Sequence, residues 1–368
     1  MIIELVLGFF ALSFVIQLIY LWLIFGKLAF YKKEFKSQNQ LPVSVVIVSR
    51  NEYHNLLKTL EPILNQDYPE FEVVVVNDHS DDETHYFLKD LALLHPRLKV
   101  IQLDRNLNFF SGKKFPLSLG IKSAKYDTIL LTDADCYIES NKWIESMQAA
   151  FEQKTQIVLG YGAYQVKKGV LNKIIRFDTL LAAMHYLSFA ILKSPYMGVG
   201  RNLAYSKAMF YERKGFINHY TINSGDDDLF VNQAANKTNT NICIKPESFT
   251  YSVPERSLFD WLKQKKRHLS TSTFYKTKHR IYLSLYPFSL FVFYTLAFCL
   301  IFVNEWLIVV YVLLGIRLVS FLFIQKSIMQ RLKEQKLFLL SPLLELFVYA
   351  MQALVLGLNI FNKNNKWK

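Results

Sequence analysis

Two carboxylates one residue apart, Asp133 and Asp135, close an apolar run from Thr128 to Thr132. Like charges this close repel unless something positive binds between or beside them. A divalent metal carrying a phosphorylated ligand meets that need, because Mg2+ and Mn2+ favour oxygen ligands and take few of them from protein. A helix N-cap ahead of Trp143 and Ile144 would use the same residues, so the pair alone leaves both uses open. Further on, Ser224-Gly225-Asp226-Asp227-Asp228-Leu229-Phe230 sets three carboxylates before an apolar helix start. One cap needs fewer, and the surplus suits a general base that takes a proton from a hydroxyl. In Trp261-Leu262-Lys263-Gln264-Lys265-Lys266-Arg267-His268, Gln264 and Arg267 share a helix face, where Arg267 can meet an anionic ligand. The alternative is a basic helix resting on anionic lipid, to which Lys263, Lys265 and Lys266 are assigned in either case.

These residues need a scaffold that gathers them. Val43 to Val48 and Phe71 to Val76 are apolar, β-branched runs ended by Ser49-Arg50-Asn51-Glu52 and by Asn77-Asp78-His79-Ser80-Asp81-Asp82. Leu98 to Leu103, Asp127 to Thr132 and Ile157 to Val166 read as further strands. Helical spacing carries Leu56, Leu57, Leu60 and Leu64 inward until Tyr68-Pro69, and Lys113 to Ala124 reads as a second helix. Strands alternating with helices imply right-handed parallel crossovers, which bring the residues after successive strands to one sheet edge. Glu52, Asp78, Asp133 and Asp135 are therefore expected in one crevice, where an open α/β sheet binds its ligands. Asp78 and Asp82 would also serve as helix caps, and Lys113 as a solvated first-turn residue.

Composition adds a membrane. The chain has 368 residues, 52% of them hydrophobic, and a net charge of +13. That charge suits nucleic acid, an anionic membrane surface or phosphorylated ligands, and membrane-length apolar segments favour the last two; no nucleic-acid partner is expected. From Leu5 to Gly26 about 22 residues pass without a charge, the length of a spanning helix. Only Glu4 precedes this run and no small-x-small site follows it, so it is expected to remain uncleaved. Lys27, Lys32, Lys33 and Lys36 put its carboxyl end in the cytoplasm. Segments 281–303, 306–324 and 337–361 are three further candidates. Basic residues from Lys263 to Arg280 precede the first, and Lys326, Arg331, Lys333 and Lys336 follow the second. The third would then leave Lys363, Lys366 and Lys368 on the wrong side, unless a short tail is tolerated there or the segment is re-entrant or interfacial.

Arg317 and Glu345 fall at similar expected depth. A lone charge there costs about 2.5 to 3.5 kcal/mol, so they are expected to pair, or Arg317 to hold a lipid phosphate. Residues 170–192 are mostly apolar, interrupted by Arg176, Asp178 and His185, and are expected along the membrane interface or under the spans, an ordinary core helix being the alternative. Cys136, Cys243 and Cys299 show neither metal spacing nor even pairing, which suits a reducing compartment.

In chain order these pieces resemble the family 2 glycosyltransferases, which include ceramide glucosyltransferase and the hyaluronan and cellulose synthases. Val45 to Glu52 is similar to the family's opening strand and Arg-Asn-Glu turn, and Val74 to Thr84 to its second strand. Gly112-Lys113, with Leu117 beyond, resembles a Gly-Lys-x-x-Ala-Leu-Asn segment in which Pro116 and Ser118 replace Ala and Asn. Asp133-Ala134-Asp135 resembles the Asp-x-Asp motif, Met197 to Tyr205 the Gly-rich acceptor segment, and Trp261 to His268 the Gln-x-x-Arg-Trp motif with His268 in place of Trp.

The resemblance covers Val43 to Tyr275. It implies a GT-A fold, an α/β domain with a mostly parallel sheet, and transmembrane helices at both ends. The expected divisions are 1–30 for the first span, 31–42 for a basic linker, 43–275 for the glycosyltransferase domain and 276–368 for the membrane region. It implies donor contacts from Arg50, Asn51, Glu52, Asp78, Lys113, Asp133, Gln264 and Arg267, Mg2+ or Mn2+ on Asp135, and an acceptor side of Gly198, Gly200, Asn202 and His268. For the base among Asp226, Asp227 and Asp228, aligning on Gly-Asp-Asp selects Asp227 and aligning on the following Leu-Phe selects Asp228; Asp227 is preferred. The expected activity is inverting transfer from a UDP-sugar to a lipid or cell-envelope glycan by an integral protein of the bacterial inner membrane, with its catalytic domain in the cytoplasm. A processive polysaccharide synthase is the alternative within the family, disfavoured by His268. Outside it stand a nonenzymatic membrane protein with a basic lipid- or partner-binding lobe, and a nucleotidyltransferase, for which no clear Gly-rich triphosphate loop is present.

Overall fold

The computed structural model describes residues 2–35, 40–104, 112–152 and 154–361; Lys36 of the linker and Lys363, Lys366 and Lys368 of the tail lie outside them. A long apolar helix opens the chain as α1 (Ile2–Leu18), a π-helical stretch Ile19–Phe25, and α2 (Gly26–Ala29). The next elements are β1 (Val43–Ser49), α3 (Tyr53–Leu64), β2 (Phe71–Asp78), α4 (Thr84–Leu94), β3 (Leu98–Leu103), α5 (Lys114–Ser123) and β4 (Thr128–Leu131). After them run β5 (Cys136–Ile138), α6 (Trp143–Gln148), β6 (Ile157–Leu159), β7 (Gly162–Tyr164), α7 (Val170–Ile191), β8 (Leu203–Ser206), α8 (Lys207–Glu212), α9 (Asp228–Ala234), β9 (Thr240–Ile242) and β10 (Thr250–Ser252). Four helices close the chain: α10 (Leu258–Thr271), α11 (Thr277–Leu300), α12 (Leu307–Arg331) and α13 (Ser341–Phe361).

The main sheet has the order β3-β2-β1-β4-β8-β6-β9. β3, β2, β1 and β4 run parallel to one another, as do β6 and β9, whereas β8 is antiparallel to both β4 and β6. β1 is buried along its whole length and β2 along nearly all of it, which explains their continuous valine runs: both sheet faces are covered. The chain winds from β1 outward to β3 and then returns to the other side of β1 with β4. The carboxyl ends of β1 and β4 thus flank the switch point, where a crevice opens in a sheet of this kind. Arg50-Asn51-Glu52 follows the one strand and Asp133-Ala134-Asp135 the other.

One expectation about the strands needed correction here. The run 157–166 is two strands in two sheets, because the chain turns at Gly160-Tyr161 around the Asn202 amide: Asn202 Nδ2 donates to the Tyr161 carbonyl at 2.9 Å, and a Cβ on Gly160 would lie 2.4 Å from Asn202. β8, which begins within the segment that resembles the Gly-rich acceptor segment, is a further strand that the sequence reading did not single out.

Among the described residues, five helices are long and apolar enough to cross a membrane. α7 differs from the rest: its most apolar stretch is 89% buried within the fold, against 28–33% for the other four. It lies between the sheet and the apolar helices, joined to the latter by Arg176–Glu334 and by His185 Nε2 to Tyr349 OH at 2.9 Å. Lys265, assigned from sequence to a lipid-facing helix surface, instead points inward to Asp178 of α7. α12 continues past the apolar run to Arg331, whose Nε reaches the Ala29 carbonyl at 2.8 Å.

Arg317 and Glu345 do pair, at 2.6 Å, and both are fully buried. Arg317 also donates to Tyr294 OH at 3.1 Å and Gln17 Oε1 at 3.2 Å, while Tyr286 OH donates to Glu345 Oε1 at 2.5 Å. This network ties α1, α11, α12 and α13 together. Removing one partner of such a pair strands the other charge at a cost of about 3 to 5 kcal/mol, whereas replacing both with apolar groups costs far less. Arg317→Met is therefore expected to lower the Tm of the detergent-solubilised protein sharply, and adding Glu345→Met to restore most of the loss. A double variant no more stable than the single one would contradict the network's role.

Candidate active site

The turn after β1 and the turn after β2 lock each other. Asn51, at φ 56°, donates its backbone N–H to Ser80 Oγ at 2.9 Å and accepts from the Asp81 N–H at 2.7 Å, and Asp82 Oδ2 takes the Tyr53 N–H at 3.1 Å. Asn and Asp tolerate the left-handed conformation better than most residues, which suits Asn51 to this turn. Glu52 precedes α3 and accepts from Asn55 Nδ2 at 2.6 Å. Asp78 is buried at the end of β2 with its carboxylate 2.8 Å from His79 Nδ1.

The turn after β4 is pinned by Thr59, whose hydroxyl donates to the Ala134 carbonyl at 2.8 Å. Asp133 and Asp135 are half-buried side by side. Burial, Asp133 and Glu52 together push Asp135 up to about 7. Burial acts on Asp133 too, but its contact with Lys113, helped by Arg201 and Arg267, holds it below the usual carboxylate range. Lys113 also stands 4.0 Å from Asp226, so one ammonium group bridges the two acidic clusters. Gly112 makes the approach possible: at φ +138° its absent Cβ would lie 2.9 Å from the Asn223 carbonyl.

Lys114 is the residue that the sequence offered no means of singling out. Its side chain is 4% exposed, and its Nζ donates to the carbonyls of His219 (2.5 Å), Ile222 (2.6 Å) and Ser224 (2.8 Å). These hold the loop that delivers Asp226, Asp227 and Asp228.

The three carboxylates then diverge. Asp226 turns toward Lys113. Asp228 is buried, taking hydrogen bonds from Thr271 and from Tyr275 OH (2.6 Å), which leaves it joined to the end of α10. Asp227 accepts from the Gly200 N–H and the Asp228 N–H, each at 2.7 Å, and faces a cavity of about 880 Å3. Burial, Asp226 and Asp228 push Asp227 up to about 7.

That cavity is also lined by Asp133, Asp135, Gly200, Arg201, Gln264, Arg267 and His268. Arg50, Asn51, Glu52, Asp78, Lys113 and Asp226 stand along the same sheet edge but not in its lining. Gln264 is positioned by Tyr164 OH at 3.2 Å. Two residues expected on the acceptor side lie elsewhere. Asn202 is fully buried, with its amide donating to the Tyr161 and Ser248 carbonyls and accepting from the Trp143 indole. Gly198 faces inward, where a Cβ would meet Leu203 at 2.9 Å. Arg201, between Gly200 and Asn202, was passed over although it is the one cation in that segment. Its guanidinium stacks 4.4 Å from the Tyr164 ring in space that a side chain at Gly162 would fill.

The donor set suits a hard divalent cation. Ligand atoms of Asp133, Asp135 and Cys136 lie within 4.8 Å of one another. Cys136 is an unsuitable ligand, because burial and the adjacent carboxylates push its thiol well above its ordinary value and its Sγ lies 3.1 Å from Ser252 Oγ. Two carboxylate groups remain, hard ligands whose mutual repulsion a dication would relieve.

This mixed α/β domain, with its parallel strands ending at an acidic crevice, has a GT-A glycosyltransferase fold. Residues 44–213 match the model of glycosyl transferase family 2, and the chain carries a domain of that family. Over 162 residues it is 28% identical to a beta-monoglucosyldiacylglycerol synthase of Trichormus variabilis, which is 43% of this chain and 32% of the relative. Over 135 residues it is 30% identical to a poly-beta-1,6-N-acetyl-D-glucosamine synthase of Staphylococcus epidermidis, 36% of this chain and 31% of the relative. The chain thus spans under a third of the length of these relatives. In fold it is similar to a mannosyltransferase of Pyrobaculum calidifontis solved in complex with GDP-Man and Mn2+, with a TM-score of 0.57 and 17% identity over 92% of this chain and 97% of that one.

The two neighbouring lysines should separate experimentally. Lys114→Met is expected to speed amide hydrogen exchange across 219–224, whereas Lys113→Met leaves that loop protected. Equal exchange in both variants would contradict the assignment.

Proposed function

We propose that this chain is a membrane-embedded inverting glycosyltransferase that moves a sugar from a UDP-sugar to a lipid or cell-envelope glycan acceptor, with its catalytic domain in the cytoplasm. The observation that carries this reading is the single cavity shared by Asp133, Asp135, Asp227 and Arg267.

The nucleoside end of the donor would lie along Arg50, Asn51, Glu52 and Asp78. Asp133 and Asp135 would hold Mg2+ or Mn2+, which when bound supplies positive charge to the diphosphate. Lys113, Gln264 and Arg267 orient the diphosphate and offset the charge it gains on leaving. Asp227 takes the proton of the acceptor hydroxyl as its oxygen attacks the anomeric carbon. A new C–O bond forms there while the bond to the diphosphate oxygen breaks on the opposite face. The electron pair leaves with the nucleoside diphosphate, and the anomeric configuration inverts. His268, where processive relatives carry an indole, favours single transfer.

The test is release of nucleoside diphosphate from a panel of UDP- and GDP-sugars by the purified full chain in the presence of membrane lipids. Asp227→Asn is expected to lower kcat by about 10²- to 10⁴-fold, the share of a general base, with little change in donor KM. Because Asp227 is protonated below about 7, kcat at saturating metal is expected to rise with pH through about 7 and then level off. An unchanged kcat in Asp227→Asn, or a rate that falls over that range, would remove Asp227 as the base.

A further inference from the structure

The cavity that holds the carboxylates has a second, chemically different end. There its lining is Ile281, Pro287 and Phe291 of α11 with Ala353 and Leu356 of α13. Ile281, Phe291 and Leu356 are 56%, 36% and 38% exposed, so this end opens outward on the same side as the apolar faces of those helices. Pro287 has no N–H for the carbonyl of Leu283 one turn earlier, and both residues line the cavity. The lining also carries the polar Lys265 and Gln352, which share the Asp178 carboxylate and join α13 to the helix of Gln264 and Arg267.

The course of α13 explains the opening. Glu345, near its start, meets Arg317, which lies 14 residues before the end of α12 and hence about 21 Å along that helix. The end of α12 is tied to the Ala29 carbonyl, beside the domain. Gln352, seven residues further along α13, donates to Asp178 Oδ1 at 2.8 Å, and the other oxygen of Asp178 holds Lys265 of α10. α13 therefore runs from the interior of the helix bundle back toward the glycosyltransferase domain, and a cleft remains between it and α11.

We propose that this cleft is a lateral portal through which a membrane lipid bearing the acceptor hydroxyl reaches Asp227 from the bilayer, its hydrocarbon chain lying between α11 and α13. The assignment rests on the glycosyl-transfer reading above and narrows its acceptor to a lipid. The apolar end accommodates the chain. The polar lining receives the head group, and the carboxylate end receives the hydroxyl. A hydrophilic glycan chain would have to desolvate against Phe291 and Leu356, with few polar partners to compensate. In this arrangement α13 does not traverse the bilayer but descends within the leaflet nearer the domain.

The test uses the full chain in dioleoylphosphatidylcholine vesicles containing a diacylglycerol with a diazirine in mid-chain. Cross-linked residues are mapped by peptide mass spectrometry, and UDP binding with Mn2+ is measured on the same preparations. Label is expected on Pro287 and Phe291, beside the hydrocarbon chain. It should fall several-fold in Ala353→Trp and in Leu356→Trp, variants that retain UDP binding. Label confined to the outward positions Leu354 and Leu358, and equal in parent and variants, would overturn the portal. Absence of UDP binding in the parent would instead count against the glycosyl-transfer reading, leaving the label pattern to judge the portal separately.

Discussion

Six carboxylates, Glu52, Asp133, Asp135, Asp226, Asp227 and Asp228, crowd one edge of a sheet, and the domain is organised around holding them there. Packed charges of one sign either take up protons or gather cations. Both outcomes are present: Asp135 and Asp227 are each pushed up to about 7, while Lys113 and Arg201 hold Asp133 down. The decisive piece is the start of α5. Lys113 bridges Asp133 and Asp226, Lys114 grips three carbonyls of the loop behind them, and Gly112 lets that loop come close. One short stretch thus fixes the distance between the carboxylates proposed for the donor and the carboxylate proposed for the acceptor.

The same logic extends away from the sheet. α7 is apolar enough to enter a bilayer and is nonetheless almost wholly enclosed, because it serves as the floor of the helix bundle and the roof of the domain. Three of its polar residues are its joints: Arg176 to Glu334, Asp178 to Lys265 and Gln352, and His185 to Tyr349. Since Lys265 lies on the helix that carries Gln264 and Arg267, the proposed diphosphate-binding face and the proposed portal are held by the same ion pair.

Much of this was legible in the sequence. Apolar runs ending in acidic turns foretold β1, β2 and β4 and their common edge, because a strand buried on both faces leaves a continuous apolar signature. The Arg317–Glu345 pair was legible because an isolated charge in an apolar helix demands a partner. β8 was missed: Leu203–Ser206 is a short strand following glycines, and its antiparallel place between β4 and β6 depends on partners distant in sequence. Lys114 and Asn202 were beyond reach for a different reason. Their work is to satisfy backbone carbonyls of other segments, and a lysine or asparagine doing so looks like any solvated one until those segments are in place. The divergence of Asp226, Asp227 and Asp228 was likewise hidden, since only Thr271, Tyr275 and the Gly200 N–H distinguish them.

The central claim is that Asp133 and Asp135 form a metal-dependent nucleotide site. Calorimetric titration of UDP into the purified full chain, with Mn2+, with EDTA, and with Asp135→Ala in Mn2+, tests it most directly. The account predicts binding in the first case alone. Equal binding in all three, or none in the parent with Mn2+, would contradict it.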